Sequence, residues 1–214
     1  MTYLEIANKI LRLLREDTVT TLQGADDVVV GLVKEYINDA KKIVEEAHSW
    51  NVLRDSWSLS TLQDVEYVSV TGAGKEAIIE TVFCNGNPMK ETTNRRLAEL
   101  KAGSSDTSTP TYYAVSGVDV SGDIRFRLHP TPDAAHTIAI TGYSGQADLS
   151  ADADVIKVPY QPVVYYAYAL AARERGEVGG QTAAEIFAMA SQYLSDAIAN
   201  DAAMNNLEYE WYVG

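Results

Sequence analysis

The chain has 214 residues, of which 46% are hydrophobic and 22% charged, the balance of an ordinary globular protein. Thirty acidic residues against 17 basic ones give a net charge of −13, which argues against classical binding to nucleic-acid phosphates. A single cysteine excludes an internal disulfide, and no stretch approaches the ~18 apolar residues of a membrane helix. We expect one large domain, or a core with one insertion, and no membrane partner.

Residues 1–57 are predicted to form an N-terminal pair of helices. Thr2 and Glu5 match the S/T-x-x-E capping box, and apolar residues at helical spacing follow them. After a polar connection, a longer stripe of apolar residues at three- and four-residue spacing runs from Val29 to Ala47. That stripe is the strongest helical signal in the chain.

Residues 58–160 change to the periodicity of β structure. Strands are indicated by alternating or β-rich runs at residues 64–70, 77–83, 112–116, 124–128 and 137–143. Glycine-rich turn signals separate them, and a short helix is predicted over 93–101, ended by Gly103. We expect a small antiparallel β unit of about five strands.

Residues 161–206 are predicted to form a C-terminal helical pair that completes the body. Pro162 suits a first helical turn, the helix should stop at Gly176, and Thr182 with Glu185 forms a second capping box. The predicted fold is therefore α+β in the order αα–β–αα. It has a mainly helical body of about four helices with one small antiparallel β insertion.

The segment 207–214 is predicted to be a docking tail, because a frayed polar terminus would be usual there. Its large side chains are Tyr209, Trp211, Tyr212 and Val213. Since the helical stripes are complete before it, we expect the tail to bind a partner surface, with Trp211 as the main contact. The alternative is that the tail folds back on its own helices as part of the core.

Three features suggest chemical sites, and each is better explained structurally. The run Gly72-Ala73-Gly74-Lys75 lacks the other residues of a phosphate loop, so a β-turn is favoured. Cys84 and the three histidines lack zinc-ligand spacing, and the apolar run around Cys84 favours a buried, inert thiol. Asp148, Asp152 and Asp154 lack the pattern of a calcium loop, so a solvated loop is favoured over a metal site. The sequence predicts no catalytic, cofactor or metal site and favours an interaction protein over an enzyme.

Short segments in order along nearly the whole chain carry a further pattern. They are YLEI at 3–6, WNVLR at 50–54, PTYYAV at 110–115, RLHPTPD at 127–133, GY at 142–143, DLS at 148–150, DVI at 154–156, VP at 158–159 and ALAARERGE at 169–177. Together they resemble tailed-phage head-to-tail adaptor proteins. The most similar type is the podovirus-like adaptor, also called tail tubular protein A or gatekeeper connector.

The resemblance implies a structural virion protein of the tail or neck, assembled in the host cytoplasm and without enzymatic activity. Such adaptors form a ring, usually of twelve copies, between the portal protein and the tail nozzle or tail tube, and DNA passes through the lumen. An acidic lumen would repel DNA and so ease its transit. The partner of Tyr209, Trp211, Tyr212 and Val213 would be the portal protein or a neighbouring subunit.

Two other functions remain open at this point. One is an acidic enzyme whose site is assembled from dispersed carboxylates and histidines, which would require a deep pocket with perturbed pKa values. The other is a helical adaptor domain of a cellular complex. The mass in solution would separate a ring from both.

Overall fold

The chain folds into two compact units. The structure is a computed structural model. It describes residues 1–24, 27–103, 106–174 and 181–204, except for the side chains of residues 181 and 182. The helical unit comprises Met1–Leu53 and Gln146–Gly214, and the β unit comprises Arg54–Gly145.

The described residues contain five α-helices and eight β-strands. The helices are α1 (Tyr3–Leu13), α2 (Val28–Glu46), α3 (Asn94–Gly103), α4 (Tyr160–Glu174) and α5 (Gln181–Met204). The strands are β1 (Arg54–Ser60), β2 (Tyr67–Ser69), β3 (Ile78–Cys84), β4 (Asn87–Pro88), β5 (Lys90–Glu91), β6 (Tyr112–Val118), β7 (Ile124–His129) and β8 (Thr137–Tyr143). A short 3-10 helix, Asn51–Leu53, follows α2.

In the helical unit, α4 packs against α1, α2 and α5. The capping box at the start of α1 is confirmed, because the Thr2 hydroxyl accepts from the Glu5 N–H and the Glu5 carboxylate accepts from the Thr2 N–H. Tyr3 is buried, its hydroxyl donates to the Lys34 carbonyl on α2 at 2.9 Å, and burial raises its pKa to about 12. The apolar stripe of α2, centred on Ile37, forms one wall of the same core.

In the β unit, two four-stranded sheets have the orders β1-β8-β3-β4 and β2-β7-β6-β5. Neighbouring strands are antiparallel except β5 and β6, which are parallel. Alternation sets the faces, since Phe126 and Leu128 of β7 are buried whereas Arg127 between them faces outward. Ile138 and Ile140 of β8 enter the same core from the other sheet, so the unit is a sandwich.

The predicted fold class, a mainly helical body with one small antiparallel β unit, is wrong. The described residues form two sheets of four strands each, together with five helices. The pattern missed β1, whose seven residues include only two apolar side chains, Trp57 and Leu59, and which directly follows a helical segment. It also gave no sign that the strands divide between two sheets, because that division depends on pairings distant in sequence, such as Arg54 with Tyr143.

Two features predicted for the C-terminal helices involve residues that the structure does not describe. The stop at Gly176 falls outside the described residues, and so does the side chain of Thr182 in the second capping box. The predicted strands at 112–116, 124–128 and 137–143 are confirmed as β6, β7 and β8.

Candidate interaction surface

Two carboxylates of the acidic loop at residues 148–154 accept hydrogen bonds from other groups of the helical unit. The Asp152 carboxylate accepts a hydrogen bond from the Thr21 hydroxyl at 2.6 Å. The Asp154 carboxylate accepts from the backbone N–H groups of Ser150 and Ala151, both at 2.7 Å, and these bonds lower the pKa of Asp154. The loop therefore uses these carboxylates to connect segments of the unit, whereas the sequence analysis expected a solvated loop.

The other suspected chemical sites also have structural explanations. Gly72 and Gly74 have positive φ angles of 82° and 72°, and their N–H groups donate to the Asp123 carboxylate at 3.1 and 2.9 Å. The β-turn prediction is therefore confirmed. The Cys84 thiol is buried, and burial raises its pKa. Within the described ranges, no group of three or more His, Cys, Asp or Glu could hold a metal ion.

A cationic and aromatic ladder lies on the outer face of the second sheet. The Tyr67 ring lies under the guanidinium groups of Arg125 and Arg127, at 5.1 and 5.9 Å from the ring centroid. The Glu66 carboxylate accepts from Arg127 Nε at 2.8 Å and also binds Lys101. Because Arg127 and Lys101 pair with this carboxylate, part of their positive charge is compensated within the unit.

Asp201 connects the C-terminal part of α5 to the segment after α2. Its carboxylate lies 3.1 Å from His48 Nε2 and accepts from both the backbone N–H and the side-chain amide of Asn51 at 3.2 Å. Asp201 is only 8% exposed. The His48 ring meets the Trp50 ring edge-on with centroids 5.0 Å apart, and the Trp50 indole N–H donates to the Val44 carbonyl at 2.7 Å. This cluster fixes the direction in which α5 ends.

A groove of about 480 Å³ opens beside this cluster at the end of α5. Trp50 and Tyr193 contribute to its lining, and Val52 and Met204 form an apolar rim that is 53% and 76% exposed. Met204 is the last described residue of α5. Exposed apolar side chains beside polar ones, here Asp196 and Asn200, are typical of a surface that binds another polypeptide.

The four predicted docking residues, Tyr209, Trp211, Tyr212 and Val213, lie outside the described residues. Their docking role therefore stays a prediction. The sequence analysis did not find the groove or the Asp201 cluster. A local hint was the single acidic residue, Asp201, within the alanine-rich run of residues 197–203.

A family model described as SU10 adaptor protein matches residues 1–209, which covers both the helical unit and the β unit. The chain belongs to the SU10 adaptor protein family. The chain is therefore a structural adaptor protein of a bacteriophage and a component of the virion, as the resemblance implied. No curated protein matches the sequence.

Most of the net negative charge of the protein lies in the helical unit. By sequence, the helical unit carries nineteen acidic and nine basic residues, against eleven and eight in the β unit. The two units therefore offer different surfaces to partners, strongly acidic in one and nearly balanced in the other. No described helix combines the length and apolarity that crossing a bilayer requires.

Proposed function

We propose that this protein is the head-to-tail adaptor of a podovirus-like phage, of the tail tubular protein A or gatekeeper type. It joins the portal protein to the tail nozzle or tail tube as a ring, with twelve copies as the expected number, in the neck of the virion. The observation that carries the proposal is the family match over residues 1–209. A contact between two different patches of identical subunits closes into a ring when the rotation between subunits is an integer fraction of a turn.

The uneven charge supports a role in DNA passage. In this proposal the helical unit builds the ring wall, and DNA crosses the lumen during ejection without binding to it. The unit has more than twice as many acidic as basic residues. Like charges on the wall and on the DNA backbone repel, so the DNA is not retained during transit. No catalytic step is part of this function.

The C-terminal tail supplies the contact to the portal protein or to a neighbouring subunit in this proposal. Tyr209, Trp211, Tyr212 and Val213 would make the contact, because large aromatic side chains carry much of the binding energy at interfaces. Met204, the last described residue of α5 before the tail, has its side chain exposed at the groove. Trp211 is the expected main contact, and its truncation should cost about 2 kcal/mol or more of binding free energy.

Removing residues 207–214 tests this role. We expect the truncated chain to keep the melting temperature of the full chain while it loses ring formation or portal binding. Trp211→Ala should weaken assembly, and Trp211→Phe, which keeps an aromatic ring, should weaken it less. If the truncated chain unfolds or loses many degrees of melting temperature, the tail belongs to the core and the docking role is wrong.

A further inference from the structure

The four edges of the two sheets in the described residues differ in length. Three are formed by short strands, since β4 and β5 have two residues each and β2 has three. The fourth edge is β1, which runs for seven residues and pairs with β8 alone in the described part of the chain. Proteins commonly shorten an edge strand because a long, unpaired edge can bind a further strand. β4 covers only Phe83 and Cys84 of β3, and β5 covers only two residues of β6, but register shifts interrupt the remaining parts of β3 and β6. Among the described strands, β1 is the long edge whose register is continuous.

The β1 edge carries little of the other common forms of edge protection, since its two charged residues, Arg54 and Asp55, both lie at its first end. Its sequence contains no proline and no lysine, and its register with β8 is continuous from Arg54 to Ser60. The Thr61 N–H donates to the His136 carbonyl, so by alternation the N–H groups of even-numbered residues point away from β8. The Asp55 carboxylate accepts a hydrogen bond from the Ser56 N–H at 2.8 Å. The N–H groups of Ser58 and Ser60 are therefore the ones directed to the open side of the edge.

The side chains of β1 that face the core are not fully covered along this edge. Trp57 and Leu59 pack against the core of the sandwich but stay only half-buried. They lie opposite Ile140 and Ile138 of β8, both of which are buried. A further strand with apolar side chains on this face would complete the row of buried residues.

The C-terminal tail has the sequence of such a strand. In Leu207–Val213 the apolar residues Leu207, Tyr209, Trp211 and Val213 alternate with Glu208, Glu210 and Tyr212. This period of two is typical of a strand with one buried face, and tyrosine, tryptophan and valine favour strands. Seven residues span about 23 Å as a strand, which matches the seven of β1. The outward serines of β1 carry no negative charge that would repel the acidic face.

We propose that residues 207–213 of a second copy of this chain add as a strand to the β1 edge. Main-chain hydrogen bonds along the edge supply affinity, and the apolar face of the tail covers Trp57 and Leu59 to supply specificity. In a closed ring every copy then gives one tail and receives one. The inference rests on the proposed ring and names the partner surface of its tail.

Cross-linking between two different variants tests the contact. One chain carries Ser58→Cys on β1 and the other carries Glu210→Cys in the tail, and they are mixed and assembled with the portal protein before a short bismaleimide is added. Cys84 stays in place because it is buried. We expect a product of the mass of two chains. Ser121→Cys, at an exposed turn between β6 and β7, replaces the β1 site in the control and should give no such product.

The alternatives give different products. A cross-link from the tail to the portal protein only, or equal yields from the β1 site and the control site, would overturn the inference. So would a product of single-chain mass when both cysteines are placed in one chain and diluted before assembly. These results leave the ring untouched if the wild-type chain assembles. If the wild-type chain forms no ring with the portal protein, the proposed function fails and the inference fails with it.

A proline on the edge provides a second readout. Ser58→Pro removes an N–H that points away from β8, so the pairing with β8 is kept, whereas Ser58→Ala keeps the N–H. We expect the proline variant to lose at least about tenfold in assembly affinity and the alanine variant to stay near wild type. Equal assembly by both would contradict strand addition. If the proline variant fails to fold, the cross-linking result decides alone.

Discussion

Replacing Asp201 with alanine should weaken the helical unit by an amount that can be worked out from its contacts. The carboxylate accepts two hydrogen bonds from Asn51 and lies 3.1 Å from His48 Nε2. Asp201→Ala removes the acceptor and leaves the donors behind. A hydrogen bond to a charged acceptor contributes about 1.5–3 kcal/mol, whereas an orphaned donor that water can reach costs less.

Water reaches part of this cluster, because the His48 side chain is 22% exposed. Solvent screening therefore lowers the summed contribution of these hydrogen bonds to stability. We expect a loss of about 2–3 kcal/mol in the free energy of unfolding. For a chain of this size that corresponds to a melting temperature lower by about 5–10 °C. Urea denaturation followed by circular dichroism, together with calorimetry, measures both quantities.

Asp196→Ala is the matched control, because it makes the same change of charge on the same helix. Asp196 is exposed and accepts only from Gln192 at 3.0 Å among its described contacts. Its replacement should change the free energy of unfolding by about 0.5 kcal/mol or less. If the two variants lose equal stability, the cluster does not hold α5 and the reasoning is refuted.

Three further predictions concern packing and ligands. Gly142→Ala should destabilise the β unit strongly, because the added Cβ would overlap a backbone oxygen of β3. Gly31→Ala in α2, where a Cβ meets open space, should stabilise the protein by about 0.5–1 kcal/mol. Thermal melts of the two variants check both expectations. Lys41→Met should lower the free energy of unfolding by about 3 kcal/mol or more, since it leaves the carboxylate of Glu45 buried without its cation. Lys42→Met, on the exposed side of the same helix, is the control, and an equal loss of stability from both variants would contradict the buried pair. ATP, zinc and calcium should leave the melting temperature unchanged, and a stabilisation of several degrees by any of them would show a site that the sequence did not predict.

Local patterns were sufficient for the helices and for most strands. The stripe of α2 and the capping box of Thr2 and Glu5 depend on residues within a few positions of one another, so the sequence shows them directly. The alternation of β7 is equally local, with Ile124, Phe126 and Leu128 on one face. Such elements are predictable because a single periodicity determines both their conformation and the face that they bury.

Long-range pairings were not predictable in the same way. Asp201 meets His48 and Asn51 across about 150 positions of sequence, and no local pattern joins them. The edge strand β1 has few apolar residues and owes its conformation to its pairing with β8. For the same reason the candidate surfaces came from the structure, while the sequence pointed only to the chemistry of the tail.

The mass of the assembled protein tests the central claim most directly. The full-length chain, alone and after mixing with the portal protein, should be measured by native mass spectrometry. Twelve copies of 23.4 kDa give about 281 kDa, and we expect a closed ring of that mass to form, at least when the portal protein is present. A monomer in the absence of portal protein is compatible with assembly on a template. A dimer as the only assembled form in the presence of portal protein would contradict the account.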